Sequence, residues 1–277
     1  MKVLTTIAEV RAERAKLGRL ALVPTMGALH AGHLSLVDFA RRRAPHVAVS
    51  IFVNPTQFGH NEDFNRYPRP IEDDLAKCQS NGVDFVFNPP VEQMYPSGVV
   101  DCVVDLPSLS TVLEGKHRPG HFKGVCQVVA KLFNIVRPDV AIFGQKDYQQ
   151  LRIIEAMAEA LDFNIEILAG PTVRDLDGLA MSSRNAYLSP EEREKSLAIS
   201  RALFAAQQEF ANGVRQANRL LTTVQKTMLE KHLLIDYVAA VDAKTLKHTD
   251  TITGPTVIAV ATRVGKTRLI DNVVLEP

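Results

Sequence analysis

His30 and His33 stand three residues apart in the stretch Pro24-Thr25-Met26-Gly27-Ala28-Leu29-His30-Ala31-Gly32-His33. That spacing lets two imidazoles share one side of a helical turn. The apolar run at residues 20–23 suits a buried strand, and Leu34, Leu36, Val37, Phe39 and Ala40 suit a helix. A strand that turns into a helix at glycines offers unpaired backbone N–H groups and the positive end of a helix dipole, and together these seat phosphate. Paired imidazoles over such a seat point to nucleotide chemistry. Two plainer readings stand beside it: cap and surface histidines without chemistry, or half of a metal site.

Other residues qualify by type and place. Lys146, in Gly144-Gln145-Lys146-Asp147-Tyr148-Gln149-Gln150, follows an apolar strand pattern at 140–143 and is placed to meet phosphate oxygens, although a solvated charge also explains it. Asp147 and Gln150 match a capping box for the next helix. Met181-Ser182-Ser183-Arg184 follows the Asp177-Gly178 turn; two hydroxyls and a guanidinium in a flexible loop can serve a triphosphate, or be an ordinary polar loop. Arg118-Pro119-Gly120-His121-Phe122-Lys123-Gly124 has the same pair of readings. Asn54-Pro55-Thr56-Gln57-Phe58 hangs polar side chains off the end of the strand pattern at 47–53.

The elements that must position these groups alternate. Helix patterns at 7–17, from His33 onward, at 69–80, 125–136 and 148–161 separate apolar strand patterns at 20–23, 47–53, 83–87, 140–143 and 163–168. Residues 89–107 are rich in proline, glycine and polar side chains and are expected to be irregular. The expected fold is α/β, a Rossmann-like parallel sheet with helices on both faces, its ligands outside the carboxyl ends of the strands. A boundary near residue 172 divides domain 1–172 from a smaller C-terminal α+β domain, 173–277. There Ser189-Pro190-Glu191-Glu192 caps a long helix, a second helix follows Gly213, and strands are expected at 235–241, 256–261 and 268–275.

Composition narrows the function. With 277 residues, 46% of them apolar, the chain can bury a large core. A formal net charge of +1 gives no general attraction for nucleic acid or an acidic membrane, so anion binding has to be local. From three widely spaced cysteines, no secretory leader pattern and no apolar run of membrane-spanning length, a cytoplasmic location is expected. Gly265-Lys266-Thr267 resembles the tail of a P-loop, but Val260 stands where its first glycine belongs and a strand follows. No dinucleotide glycine fingerprint, zinc His-Glu-x-x-His or serine nucleophile elbow is present. The cysteines lack ligand spacing, and no metal site of the protein's own is expected.

PTMGALHAGH together with SIFVNPTQF, RPGHFKGV, FGQKDYQQL, DGLAMSSRN and RLIDN, in that order from about residue 20 to about 272, resembles the AMP-forming pantoate:β-alanine ligases, the pantothenate synthetase family of the nucleotidyltransferases. The resemblance implies that pantoate attacks the α-phosphorus of ATP and that β-alanine then displaces AMP, with Mg²⁺ carried by the triphosphate. It makes His30, His33, Lys146 and Arg184 the catalytic residues. It gives ATP to Pro24, Thr25, Met26, Gly27, Ala28, Leu29, His30, Ala31, Gly32 and His33, to Gly144, Gln145, Lys146 and Asp147, and to Val173, Met181, Ser182, Ser183 and Arg184. It gives pantoate and β-alanine to Gln57 with Asn54 close by, and pantoate to Gln150. Gln145 is neutral where many members carry glutamate. The resemblance further implies a homodimer, domain closure over the adenylate, and small-molecule partners only: ATP, pantoate and β-alanine, with no nucleic acid and no membrane. The alternatives are another nucleotidyltransferase, which would keep a nucleotidyl product, and an ATP-binding regulatory module without turnover.

Overall fold

The computed structural model describes residues 1–60, 62–97 and 102–277. Among them, β1 (Lys2–Leu4), β2 (Leu20–Thr25), β3 (His46–Ile51), β4 (Phe85–Phe87), β5 (Val140–Gly144) and β6 (Glu166–Gly170) form one sheet in the order β1-β4-β3-β2-β5-β6. Every pairing in it is parallel. The chain runs outward from β2 to β3 and β4, then returns to lay β5 on the other side of β2. In sheets of this kind a reversal of strand order marks where ligands bind, outside the carboxyl ends of the strands.

Leu20, Ala21, Leu22 and Val23 are all fully buried, which accounts for an unbroken apolar run where a half-exposed strand would alternate. One face of the sheet, with Ala21, Val23, Val47, Val49, Val140 and Ile142, packs on Leu36, Val37 and Ala40 of the helix Ala31–Arg41. The other is covered by the helix His121–Val136, whose Phe133 ring stands edge-on to Phe143 of β5. The described cysteines are free; burial pushes the Cys78 thiol up to about 11 and the Cys126 thiol up to about 12, so neither is a nucleophile at neutral pH.

Several expectations shift in detail. Lys2–Leu4, ahead of the first expected helix, forms strand β1 by pairing with β4. The strand expected at 163–168 slides to Glu166–Gly170 to meet β5 in register. The helix expected from residue 125 begins at His121, behind Gly120 in the left-handed region, so the supposed basic loop is partly a first helical turn. In the segment expected to be irregular, Val91–Met94 is a single helical turn and residues 98–101 lie outside the described residues; a second turn, Pro107–Ser110, begins at the segment's last residue.

The chain divides into two compact units. One comprises Met1–Thr111, Gly115–Gln145 and Gln150–Pro171; the other Val112–Glu114, Lys146–Gln149 and Thr172–Pro277. Two short segments of the expected first domain therefore belong with the second unit. That unit carries the antiparallel sheet β7 (Leu234–Asp242), β8 (Thr256–Val264) and β9 (Thr267–Leu275), with the helices Pro190–Ala211 and Ala217–Leu229 packed on it through a core that includes Leu203, Leu220, Ile258 and Val260. The capping box at Ser189 and Glu192 is formed.

The segment Val112–Glu114 is tied into its unit by charge. Arg268 of β9 donates to Glu114 at 2.5 and 2.8 Å and to Asp236 at 2.6 Å, while Tyr237 Oη donates to Glu114 at 2.9 Å. Burial, then the Glu114 charge, pushes the Tyr237 phenol well up, so it stays a donor. Replacing buried Glu114 by alanine leaves the part-buried Arg268 guanidinium with Asp236 as its one carboxylate in this cluster and removes the acceptor of the Tyr237 hydroxyl; we expect a loss of about 3 kcal/mol and a fall of roughly 6–12 °C in the thermal midpoint, read by calorimetry.

Candidate active site

Beyond Thr25 the chain turns into the helix Ala31–Arg41 through backbone that is costly to hold. Gly27 and Ala28 both lie in the left-handed region, at φ 84° and 51°. For alanine this conformation costs about 1–2 kcal/mol. The compensation comes from the helix Ile71–Ser80. Asp74, 1% exposed, accepts the N–H of Ala28 on Oδ2 and that of Leu29 on Oδ1, both at 2.7 Å, and Lys77 Nζ donates to the Leu29 carbonyl at 2.7 Å. A Cβ on Gly27 would stand 2.9 Å from Asp74 Oδ2, so glycine is required there for both space and φ. Burial raises the pKa of Asp74 despite the pull of the two N–H groups.

The two histidines cap the helix between them. His30 Nδ1 accepts the N–H of Gly32 at 3.2 Å, and His33 Nδ1 accepts the N–H of His30 at 3.3 Å. Their rings lie 4.1 Å apart between centroids. Because each Nδ1 is an acceptor, the proton of each neutral ring sits on Nε2. This narrows the expectation of a seat made of unpaired backbone N–H groups. Thr25 Oγ1 takes the Gly27 N–H, Asp74 takes those of Ala28 and Leu29, and the imidazoles take those of His30 and Gly32.

After β3, which ends at Ile51 and so before Pro55, Asn54 caps a 3-10 turn, Pro55–Gln57; Pro55 begins this turn and does not end the strand. Asn54 is 1% exposed and Gln57 8%. Asn54 Nδ2 donates to Gln57 Oε1 at 3.1 Å and to the Gly124 carbonyl at 3.0 Å; its Oδ1 accepts from Tyr95 Oη at 2.8 Å. Gln57 Nε2 lies 3.1 Å from Met26 Sδ, which joins this turn to the one after β2. A cleft of about 410 Å³ opens beside them, lined by Met26, Gly27, Phe52, Phe64, Arg69 and Asn88 among others.

The Arg118 region holds this turn from behind. His121 Nδ1 is 2.8 Å from the Gln57 carbonyl, which only accepts, so Nδ1 carries the proton and Nε2 takes a bond from Arg118 Nη1 at 3.0 Å. Arg118 is paired with Glu62 at 2.6 and 2.7 Å; burial pushes that carboxyl up, but Arg118 prevails and its pKa is lowered. Neither residue was legible as a positioning group, since Glu62 is 56 residues away in sequence. Asp74 was also missed, although an acid on the buried side of a helix, between Ile71 and Cys78, was a usable signal.

Gly144 and Gln145 stand at the end of β5, beside β2 in the sheet, and Gln150 lies partly buried on the first turn of the helix Tyr148–Ala160. Asp147 is not an N-cap: a 3-10 turn, Gln145–Asp147, runs straight into that helix. In the second unit, the Lys146 side chain is 18% exposed with Nζ 3.8 Å from Asp147 Oδ1, and its carbonyl accepts from Asn272 Nδ2 at 2.8 Å. Asp271, 3% exposed, holds Arg174 at 2.6 and 3.0 Å and the Asn272 N–H at 2.8 Å. The Met181 N–H returns to the Val173 carbonyl, and Arg193 ties Asp175 and Asp177 at 2.8 and 2.7 Å. Ser182 then caps a 3-10 helix, Ser183–Tyr187, its hydroxyl accepting the Arg184 N–H at 3.3 Å. The supposed flexible loop is thus built structure. The candidates fall into two sets, one in each unit: Pro24 to His33 with Asn54, Gln57, Gly144, Gln145 and Gln150, and Lys146 and Asp147 with Val173 and Met181 to Arg184.

Gly124 sets how closely the helix His121–Val136 approaches Gln57, since a Cβ there would fall 2.4 Å from the Thr56 carbonyl oxygen and 2.6 Å from the Gln57 nitrogen. We expect Gly124→Ala to lower stability by about 1–3 kcal/mol through overpacking, measured by denaturant unfolding.

The sequence profile of the family described as Pantoate-beta-alanine ligase matches residues 2–274. The chain is 49% identical over 281 residues to the pantothenate synthetase of Acetivibrio thermocellus, covering 100% of both, and 52% identical over 279 residues to that of Thermobifida fusca, covering 98% of this chain and 94% of the relative. The crystal structure of pantothenate synthetase from Thermus thermophilus superposes with a TM-score of 0.95 at 44% identity over 100% of each chain. That of the pantoate–β-alanine ligase from Francisella tularensis, complexed with Beta-gamma ATP and β-alanine, gives 0.79 at 32% identity over 99% and 97%. With the family profile matched over residues 2–274 and a relative 49% identical across the full length of both chains, the chain belongs to the pantoate–β-alanine ligase family.

Proposed function

We propose that this ligase works through a pantoyl adenylate. A carboxylate oxygen of pantoate attacks the α-phosphorus of ATP, and the bond to the β-phosphate breaks to release pyrophosphate. The amine of β-alanine then attacks the acyl carbon, the bond to AMP breaks, and an amide forms with loss of a proton. Charge spread over phosphoryl oxygens asks a protein for positioned donors more than for covalent work.

The observation that carries this reading is the imidazole pair at the end of β2, each ring turned so that its neutral form donates from Nε2. His33 and His30 bind the phosphates and stabilise charge as it develops. Gln57, with its amide held by Asn54 and its carbonyl by His121, orients pantoate and then β-alanine; Gln150 takes pantoate's polar groups. Lys146 and Arg184 supply cationic contacts to the phosphates, Asp147 a contact to the ribose, and Ser182, Ser183, Val173 and Met181 complete the nucleotide contacts. Mg²⁺ enters with ATP, held by phosphate oxygens and water; among the described residues no group of three or more His, Cys, Asp or Glu side chains is arranged to hold a metal. Among those residues, too, no helix is long and apolar enough to cross a membrane. We place the reaction in the cytoplasm and the chain in a homodimer.

Incubation with ATP, Mg²⁺, pantoate and β-alanine tests the reading: AMP should form only when both organic substrates are present, and AMP formation without that dependence rejects it. His33→Ala should slow adenylation by about two to four orders of magnitude, followed as pyrophosphate release. Gln57→Ala should raise KM for pantoate and β-alanine while leaving ATP binding nearly unchanged, which separate titrations of each substrate would reveal.

A further inference from the structure

The geometry points to Asp74 as a positioning residue for adenylation: with Lys77, it locks the turn that aims His30 and His33. This rests on the assignment of the histidine pair to the phosphates.

An acid in the first turn of a helix is ordinarily a complement to the dipole, and Glu72 and Asp73 fit that description. Asp74 differs in burial and in how its oxygens are used. It is 1% exposed, and each oxygen takes one backbone N–H from consecutive residues of the turn, Ala28 and Leu29, at 2.7 Å. Two neighbouring donors need two acceptors on one group, which a carboxylate supplies and an amide does not. Lys77, one helical turn on, takes the Leu29 carbonyl at 2.7 Å, so both polar groups of the Leu29 backbone are fixed by one helix. The residue that follows is His30, the helix cap.

The backbone shows why a lock is needed. Two consecutive residues lie in the left-handed region, and the second, Ala28 at φ 51°, has a side chain that disfavours it. Released from Asp74, residues 27–29 gain access to commoner conformations, and the rings at 30 and 33 lose their shared orientation. Positioning errors of this kind act on the transition state more than on substrate binding. The contact belongs to tertiary structure, since Asp74 and Ala28 are 46 residues apart.

Asp74→Asn keeps the shape, and so the adjoining cleft, but turns an N–H donor toward another donor. In a folded variant, checked by circular dichroism and thermal melting, we expect pyrophosphate release at saturating ATP and pantoate to fall roughly 10- to 100-fold, with KM for pantoate within about threefold of the unmodified protein. The double variant with His33→Ala should be no more than about threefold slower than His33→Ala alone, because Asp74 acts through the histidines. An unchanged rate for Asp74→Asn, or losses that simply multiply in the double variant, overturns the inference. Should Asp74→Asn fail to fold, Lys77→Met decides: a rate reduced roughly 3- to 10-fold supports the lock, and an unchanged rate overturns it. Full activity in His33→Ala alone would instead defeat the reading of the histidine pair, and the inference with it.

Discussion

The parallel pairing of β2 with β3 on one side and β5 on the other is the constraint from which the architecture of the first unit follows. Parallel strands end on the same edge, so the segments after β2, β3 and β5 emerge together however far apart they lie in the chain. The pairing is secured by side chains with no role in chemistry: Leu20 to Val23 fill both faces of the central strand, and Val47, Val49, Val140 and Ile142 extend the same layer. Each strand needs a crossover helix to return in parallel, and those helices make the sheet too deeply buried for its ends to wander.

Buried polar side chains in each unit make more contacts than a surface loop would have. Asn54 spends its amide on Gln57 and Gly124 and its oxygen on Tyr95 and Thr56. Asp74 spends both oxygens on the histidine turn, and Asp271 spends its own on Arg174 and the Asn272 backbone. A buried amide or carboxylate that is fully bonded is costly to move, so these residues convert packing into fixed orientation. The side chains proposed to meet substrate therefore sit on short turns whose backbones are bonded to buried partners. Two glycines permit this economy of space, Gly27 against Asp74 and Gly124 against Thr56.

Much of this was open to a reader of the sequence. Buried parallel strands appear as unbroken apolar runs, helices as spacings of three and four, and the Ser189 capping box as a local pattern of four residues. His30, His33, Lys146 and Arg184 were candidates by type and place, each beside a plainer reading, and the resemblance of several blocks to one family joined them into a single expected site. The turn chemistry misled where neighbours in space intervened. The N–H groups after Gly27 looked unpaired because Asp74 is 46 residues away, and Arg118 looked like loop charge because Glu62 is 56 residues from it.

The sequence alone therefore determined the order of the main elements and the α/β class, which depend on periodicity and composition within a few residues, and it nominated candidate side chains by type and place. Tertiary structure alone decided which tautomer each histidine adopts, which carboxylate holds their turn, and which glycine lets the helix His121–Val136 close on Gln57. Hydrogen-bond partners and contact distances across dozens of residues exist only once the sheet is assembled, and no local pattern encodes them.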